Sequence, residues 1–372
     1  VLSISQIPGL ESTKQSLIQS LIDNRVPQTQ LYINADGGSG LALAMAFSQY
    51  IACSNPSITS CGNCVSCKQF MSGNYPDLVL VFPSVKSGLA KKDKSRSTDY
   101  LEDFRDLIRM NPFVTTPEWH EKIESGNKQF SIPVSDAEYI IQTIATKTIS
   151  SKPRFVVIWL PEALSKEAAN KLLKTLEEPG KGNYFILVSV NPEKILPTIL
   201  SRCVSLRIPK LRDIDVLDFL MSRGLAEPQA TAMALASNGN LGLAISSIIR
   251  GGELEEYTEF CIQWLRILYS RKIESLINWC ETISKLNRVD LIAFLTMTIH
   301  VFQKAITLSV GSSTTGLKHG TFDLTLFIPY LKTEKGPEIV ELFERAIREF
   351  ERNGSPKIIL LDLSFNLLKY IG

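Results

Sequence analysis

The chain has 372 residues, 44% of them apolar, and a formal net charge of +2. That is enough chain for two or three domains with real cores. It excludes a broad basic surface, so any nucleic-acid contact must be local. No run of about 18 uncharged apolar residues is present, which predicts no transmembrane helix.

Val1 to Gly9 has neither a charged n-region nor an apolar h-region, so no signal peptide is expected and a cytoplasmic protein is the default. Its seven cysteines are then not read as disulfides. Glu11 to Asp23 reads as an amphipathic helix with Leu17, Ile18, Leu21 and Ile22 apolar. Leu31 to Asn34 is a short strand. Ala35-Asp36-Gly37-Gly38-Ser39-Gly40 is a glycine-rich loop, and Leu41 to Ala52 is a helix. Strand, glycine loop and helix form the layout of a phosphate-binding loop. The residues after its last glycine should be Lys and Ser/Thr, and here they are Leu41 and Ala42. The loop keeps the turn at Gly37, Gly38 and Gly40 but lacks the groups that hold phosphate and Mg²⁺, so no nucleotide is expected there.

Cys53, Cys61, Cys64 and Cys67 follow in a C-x7-C-x2-C-x2-C pattern, with Gly62 inside the knuckle. Four converging thiolates suit a closed tetrahedral Zn²⁺ site with no open position for catalysis. Cys203, Cys261 and Cys280 lack partner spacing and read as core or surface thiols. Leu78 to Phe82 is a strand. The next helix begins only near Val134, with Ser135 or Asp136 as its cap. Between them lies a basic run, Lys86, Lys91, Lys92, Lys94 and Arg96 against Asp93, then a helical stretch from Asp99 to Met110, then Trp119 and His120. The run reads as a solvated, mobile loop, with DNA phosphates as the alternative partner. His120, His300 and His319 are scattered and form no catalytic constellation.

Phe155 to Leu160 is a buried strand that Pro161 stops. A helix from Lys166 to Leu176 puts Ala169, Leu172, Leu173 and Leu176 on one face, and Pro179-Gly180 ends it. Tyr184 to Val190 is a second buried strand, a short helix carries Ile195, Ile199 and Leu200, and Val204 to Ile208 is a third strand. This βαβ spacing predicts a parallel sheet covered on both faces. Beyond Ile208 the chain reads as helical, broken by a mostly polar stretch from Gly311 to Phe322. Pro337 starts a helix that Asn353-Gly354 closes.

Asn170-Lys171-Leu172-Leu173-Lys174-Thr175-Leu176-Glu177-Glu178-Pro179, followed by Pro197-Thr198-Ile199-Leu200-Ser201-Arg202-Cys203, resembles the core of bacterial clamp-loader subunits of DNA polymerase III. These are the gamma/tau and delta-prime proteins of the AAA+ class. The resemblance covers about Gln6 to Ala244, apart from an insertion over about 84–132. It implies an AAA+ P-loop-type α/β domain over 1–208, with a zinc module over about 53–67. A helical lid over 209–250 and an all-α collar for oligomerisation over 251–372 complete it. On the family pattern the acidic pair for Mg²⁺ and water falls on Trp159 and Leu160, and Glu162 is a poor substitute. Gly242, in Gly239-Asn240-Leu241-Gly242, stands where active subunits carry a phosphate-sensing arginine.

These departures imply the delta-prime kind rather than the ATPase gamma/tau kind. The chain would be an accessory subunit and not an enzyme. It would act as a stator in a hetero-pentamer with gamma/tau-like and delta-like subunits, the sliding clamp and primer–template DNA. ATP would be bound only at neighbouring subunits, and Arg202 would reach one of them as an arginine finger in trans. A stand-alone zinc-containing DNA-binding protein is the reading from another class. It accounts for the cysteines and the basic run but not for Ser201-Arg202-Cys203.

Overall fold

A computed structural model describes residues 1–85, 96–123, 130–150, 152–249, 253–286, 288–309, 318–319, 322–323, 333–352 and 354–371. Its contacts group the chain into two compact units, Val1–Asp215 with Asn240–Ile245, and Val216–Gly239 with Ser246–Gly372.

The first unit runs α1 (Glu11–Ile22), β1 (Thr29–Ile33), α2 (Gly40–Ala52), α3 (Val65–Met71), β2 (Leu78–Val81), α4 (Leu101–Met110), α5 (Thr116–Lys122), α6 (Val134–Ile144), β3 (Arg154–Trp159), α7 (Lys166–Glu177), β4 (Asn183–Ser189), α8 (Pro197–Leu200) and β5 (Val204–Arg207). The five strands form one sheet in the order β2-β3-β4-β1-β5, and every pairing is parallel. This is the P-loop-type AAA+ sheet that the resemblance implied. Strands β3 and β4 are continuous apolar runs because both faces of the sheet are covered. One face packs the apolar stripes of α6 and α7, where Ile140, Ala168, Leu172 and Leu176 join Val156, Ile158 and Leu187 in a single core cluster. Ser165 caps α7 by accepting the Ala168 N–H.

Helix α6 starts where the sequence predicts, but neither Ser135 nor Asp136 caps it. Its N-cap is Pro133. The Asp136 carboxylate instead turns inward and accepts the Ser97 N–H and hydroxyl.

Lys86, Lys91, Lys92, Lys94 and Asp93 lie outside the described residues. Much of the described part of the predicted insertion is built into the core. An antiparallel bridge joins Ser84 to Ser131 at its base. Phe104, Phe113 and Trp119 are fully buried, and the Trp119 indole N–H donates to the Pro83 carbonyl at 2.7 Å.

The second unit is helical among its described residues apart from one short strand pair. It contains most of α9 (Asp213–Ser222), then α10 (Glu227–Ser237), the end of α11 (Leu241–Ile249), α12 (Glu253–Ser270), α13 (Ile273–Ile283), α14 (Arg288–Ser309), α15 (Gly336–Glu351) and α16 (Pro356–Leu367). Its core is aromatic. Trp264 stacks on Trp279 with ring centroids 5.0 Å apart, and its N–H reaches Ser364 Oγ at 3.0 Å. Within the predicted polar break, Lys318–His319 pairs antiparallel with Phe322–Asp323, a contact the sequence did not signal.

Candidate functional site: the glycine loop, the cysteine knuckle and Arg202

The glycine loop leaves the carboxyl end of β1, where ligands of parallel α/β sheets are usually held. Gly37 takes a left-handed conformation at φ 72°, which favours glycine. The chain's own side chains crowd the loop. The Asn34 amide lies against Gly38 and Gly40, so a Cβ on either glycine would collide with it. Asn34 Nδ2 donates to the Ala35 carbonyl. Its Oδ1 is buried with no hydrogen-bond partner among the described residues. Leu41 and Ala42, where Lys and Ser/Thr would stand, are 2% and 4% exposed and belong to the apolar core.

A second layer pins the loop from outside. The Asp36 carboxylate accepts the Thr116 N–H at 2.9 Å and its hydroxyl at 3.0 Å, meeting the unsatisfied first donor of α5. The Asp36 main-chain carbonyl accepts Asn240 Nδ2 at 2.6 Å. The Gly37 carbonyl accepts the Gly242 N–H at 3.0 Å. Gly242 is enclosed so closely that a Cβ there would overlap the Phe113 carbonyl. Asn111 completes the network by donating to Glu118 and to the Gly242 carbonyl. Glu118 closes a capping box with Thr115. The sequence pointed to the missing Lys and Ser/Thr but not to this latch. Its only local signal is the Thr115–Glu118 capping spacing.

Trp159 and Leu160, on which the resemblance places the acidic pair, are 2% and 5% exposed. Trp159 packs against Phe104 of the insertion, ring centroids 5.4 Å apart. Glu162 faces elsewhere, with Oε1 accepting the Val190 and Asn191 N–H groups. His120 stacks on Phe130 at 3.5 Å, and burial lowers its pKa to about 4.

Four thiols do come together. The sulfur atoms of Cys53, Cys61, Cys64 and Cys67 all lie within 4.8 Å of one another. Cys61 and Cys67 are 3.9 Å apart, against an edge of about 3.8 Å for a tetrahedron with Zn–S near 2.3 Å. The Cys64 N–H donates to Cys61 Sγ at 3.4 Å and the Cys61 N–H to Cys53 Sγ at 3.3 Å. The first of these bonds is the largest influence holding the Cys61 thiol below its ordinary range. Gly62, at φ 71°, makes the turn between them. This donor set fits a structural zinc ion. Cys261 and Cys280 are buried thiols in the second unit, remote in sequence from the knuckle.

Arg202 follows α8 and precedes β5, an edge strand with Val204 57% exposed. Its guanidinium contacts Glu177 Oε2 through Nε at 2.9 Å and Nη2 at 2.8 Å. Nη1 donates to the Thr198 carbonyl at 2.9 Å.

A family model described as DNA polymerase III, delta subunit matches residues 9–212. Among curated proteins the chain is 26% identical over 257 residues to DNA polymerase III subunit delta' of Bacillus subtilis, covering 69% of this chain and 64% of that one. It is 27% identical over 199 residues to the delta' subunit of Escherichia coli, covering 53% and 46%. It is 24% identical over 253 residues to subunit tau/gamma of Haemophilus influenzae, covering 66% and 30%. The matches therefore span less than two thirds of these relatives' own length. Among solved structures, a gamma subunit-related protein of DNA polymerase III from Thermotoga maritima aligns over 97% of this chain and 99% of that chain, at 12% identity and a TM-score of 0.39.

Proposed function

The chain belongs to the DNA polymerase III delta subunit family, and on that footing we propose that it is a delta-prime-like stator of a hetero-pentameric clamp loader. In this reading it assembles in the cytoplasm with gamma/tau-like and delta-like subunits. Together they open the sliding clamp and close it on primer–template DNA. Residues 209–250 act as a lid and 251–372 as the collar. Cys53, Cys61, Cys64 and Cys67 hold one structural zinc. The chain hydrolyses no ATP itself and presents Arg202 to the γ-phosphate of ATP on a neighbouring subunit.

One observation carries the reading. A partly exposed arginine, 30% accessible, is fixed beside an edge strand in a chain whose own glycine loop is filled by Asn34. A planar, permanently charged guanidinium suits stabilisation of charge on a transferring phosphoryl group. With no nucleotide expected in its own loop, that arginine serves another subunit's site.

The test is Arg202→Ala assembled with wild-type partners. Arginine fingers contribute about 10³–10⁵ in rate at the single site they serve. In a loader with several ATP sites the total loss is smaller. Clamp- and DNA-stimulated hydrolysis and clamp loading should fall, while assembly and zinc content stay normal. Arg202→Lys should rescue poorly, because an ammonium has no planar fork. Wild-type loading by the Arg202→Ala complex would refute the role.

A further inference from the structure

Glu177 is the last residue of α7 and is 59% exposed, so burial does not explain it. A carboxylate at a helix C-terminus is disfavoured by the helix dipole. Helix α7 is already held to the sheet by Leu172 and Leu176. The side chain's contact in the structure is Arg202, whose Nε–H donates to Glu177 Oε2 while Nη2 lies 2.8 Å from the same oxygen as an ion pair. The Thr198 carbonyl, on α8, holds Nη1 from the other side. A guanidinium carries five N–H donors. Hydrogen bonds to Glu177 and Thr198 take one on Nε and one on Nη1, which leaves N–H groups on both terminal nitrogens.

We infer that Glu177 is a positioning residue for Arg202, fixing the guanidinium so that the N–H groups left on its terminal nitrogens can bind the phosphate oxygens of a nucleotide on an adjoining subunit. This rests on the trans-acting role proposed above. Both anchors belong to helices, so the guanidinium is ordered before its target arrives. Without Glu177, the long side chain must be ordered on each encounter, and the rate falls accordingly. Thr198 alone contacts a single nitrogen and leaves the plane free to rotate. The carboxylate fixes the edge formed by Nε and Nη2 and so fixes the plane. Glu177 takes no part in proton transfer and need not touch the nucleotide.

The experiment uses the reconstituted loader with wild-type partners, measuring clamp- and primed-DNA-stimulated ATP hydrolysis. Glu177→Ala should lower kcat by about two- to five-fold, the range an exposed ion pair carries, with KM for ATP unchanged. Glu177→Gln should recover most of the loss, since its amide oxygen still accepts from the guanidinium. In an Arg202→Ala background, Glu177→Ala should add nothing, a non-additivity that a merely structural role would not give. Assembly and the thermal midpoint of each variant, measured in parallel, should match wild type. If Arg202→Ala is slow but Glu177→Ala runs at the wild-type rate, the positioning role is wrong and the finger stands. If Glu177→Ala is faster than wild type, Glu177 restrains the arginine and the inference is overturned. If Arg202→Ala itself runs at the wild-type rate, the finger reading fails and the inference falls with it.

Discussion

Asp136 has no measurable solvent exposure. Burial is the largest influence on its carboxyl and raises its pKa to about 6, while the Ser97 bonds and Arg96 pull the other way and Asp99 adds to the rise. The unfolded value is 3.8. Below that value both states hold the proton and the contribution to stability is complete. As pH climbs to about 6 the fold keeps a proton that the unfolded chain has lost, so stability falls across this window. Asp136→Asn, which keeps the shape and has no charge to bury, should remove that slope. Relative to wild type it should gain on the order of 2 kcal/mol between pH 4 and pH 7, read from urea midpoints. Parallel pH curves for the two proteins would contradict the account. Gly242 gives a second single-residue test. Gly242→Ala forces a Cβ into the Phe113 carbonyl and should destabilise by more than about 2 kcal/mol. At this scale the sequence was partly legible. A phosphate-binding loop demands Lys and Ser/Thr, so Leu41 and Ala42 announce their own failure. Asn34 and Asp36 announce nothing, and Gly242 announces only a missing arginine and not its contact with the loop, because these roles depend on contacts such as Thr116, which is 80 residues from Asp36, and Asn240, which is 204 away.

At the scale of elements, β3, α7 and β4 were legible because their apolar periods are strong and their stops are Pro161 and Pro179-Gly180. The insertion was legible only in part, for a physical reason. The amphipathic stretch to Met110 was visible, but a pattern does not say which surface it covers. In the structure Phe104 of α4 packs on Trp159, and the first residue of α5, Thr116, ties down the glycine loop through Asp36. Restoring the motif alone therefore should not restore binding. Leu41→Lys with Ala42→Ser places an ammonium in an apolar core at a cost of several kcal/mol and leaves the Asn34 amide where it is. The double variant should bind ATP no more tightly than about 1 mM by calorimetry. A micromolar Kd would show that the loop opens freely and that the latch is no obstacle. The cysteine knuckle was legible from spacing alone, since Cys-x-x-Cys steps constrain where thiolates can go. Protein purified without chelator should carry about one zinc per chain, since four thiolates saturate a tetrahedral ion. Cys64→Ser should lose the metal and lower the thermal midpoint, because bound zinc contributes folding free energy directly. A folded, metal-free wild type would remove the zinc from this picture.

For the whole molecule, charge and partners decide between a subunit and a stand-alone DNA-binding protein. A net charge of +2 gives no general attraction for the phosphate backbone. The lysines of the basic run are too few to supply the six to ten phosphate contacts of a strong non-specific binder. The pure chain should therefore bind primed DNA weakly at physiological salt. A stator needs partners instead, and an arginine that acts in trans has no chemistry to do until one adjoins it. Mixed with gamma/tau-type and delta-type subunits of its own organism, the chain should co-elute in one hetero-oligomer on size exclusion. Light scattering should give the mass of five chains, and stimulated ATPase should appear only in that fraction. The Arg202→Ala complex should elute at the same volume, since Arg202 is only partly buried and supports no core, yet hydrolyse more slowly. Separation of assembly from rate in one fraction tests the stator and the finger independently. If the chain elutes alone while binding DNA tightly by itself, the stand-alone reading is correct and the assembly proposed for it is not.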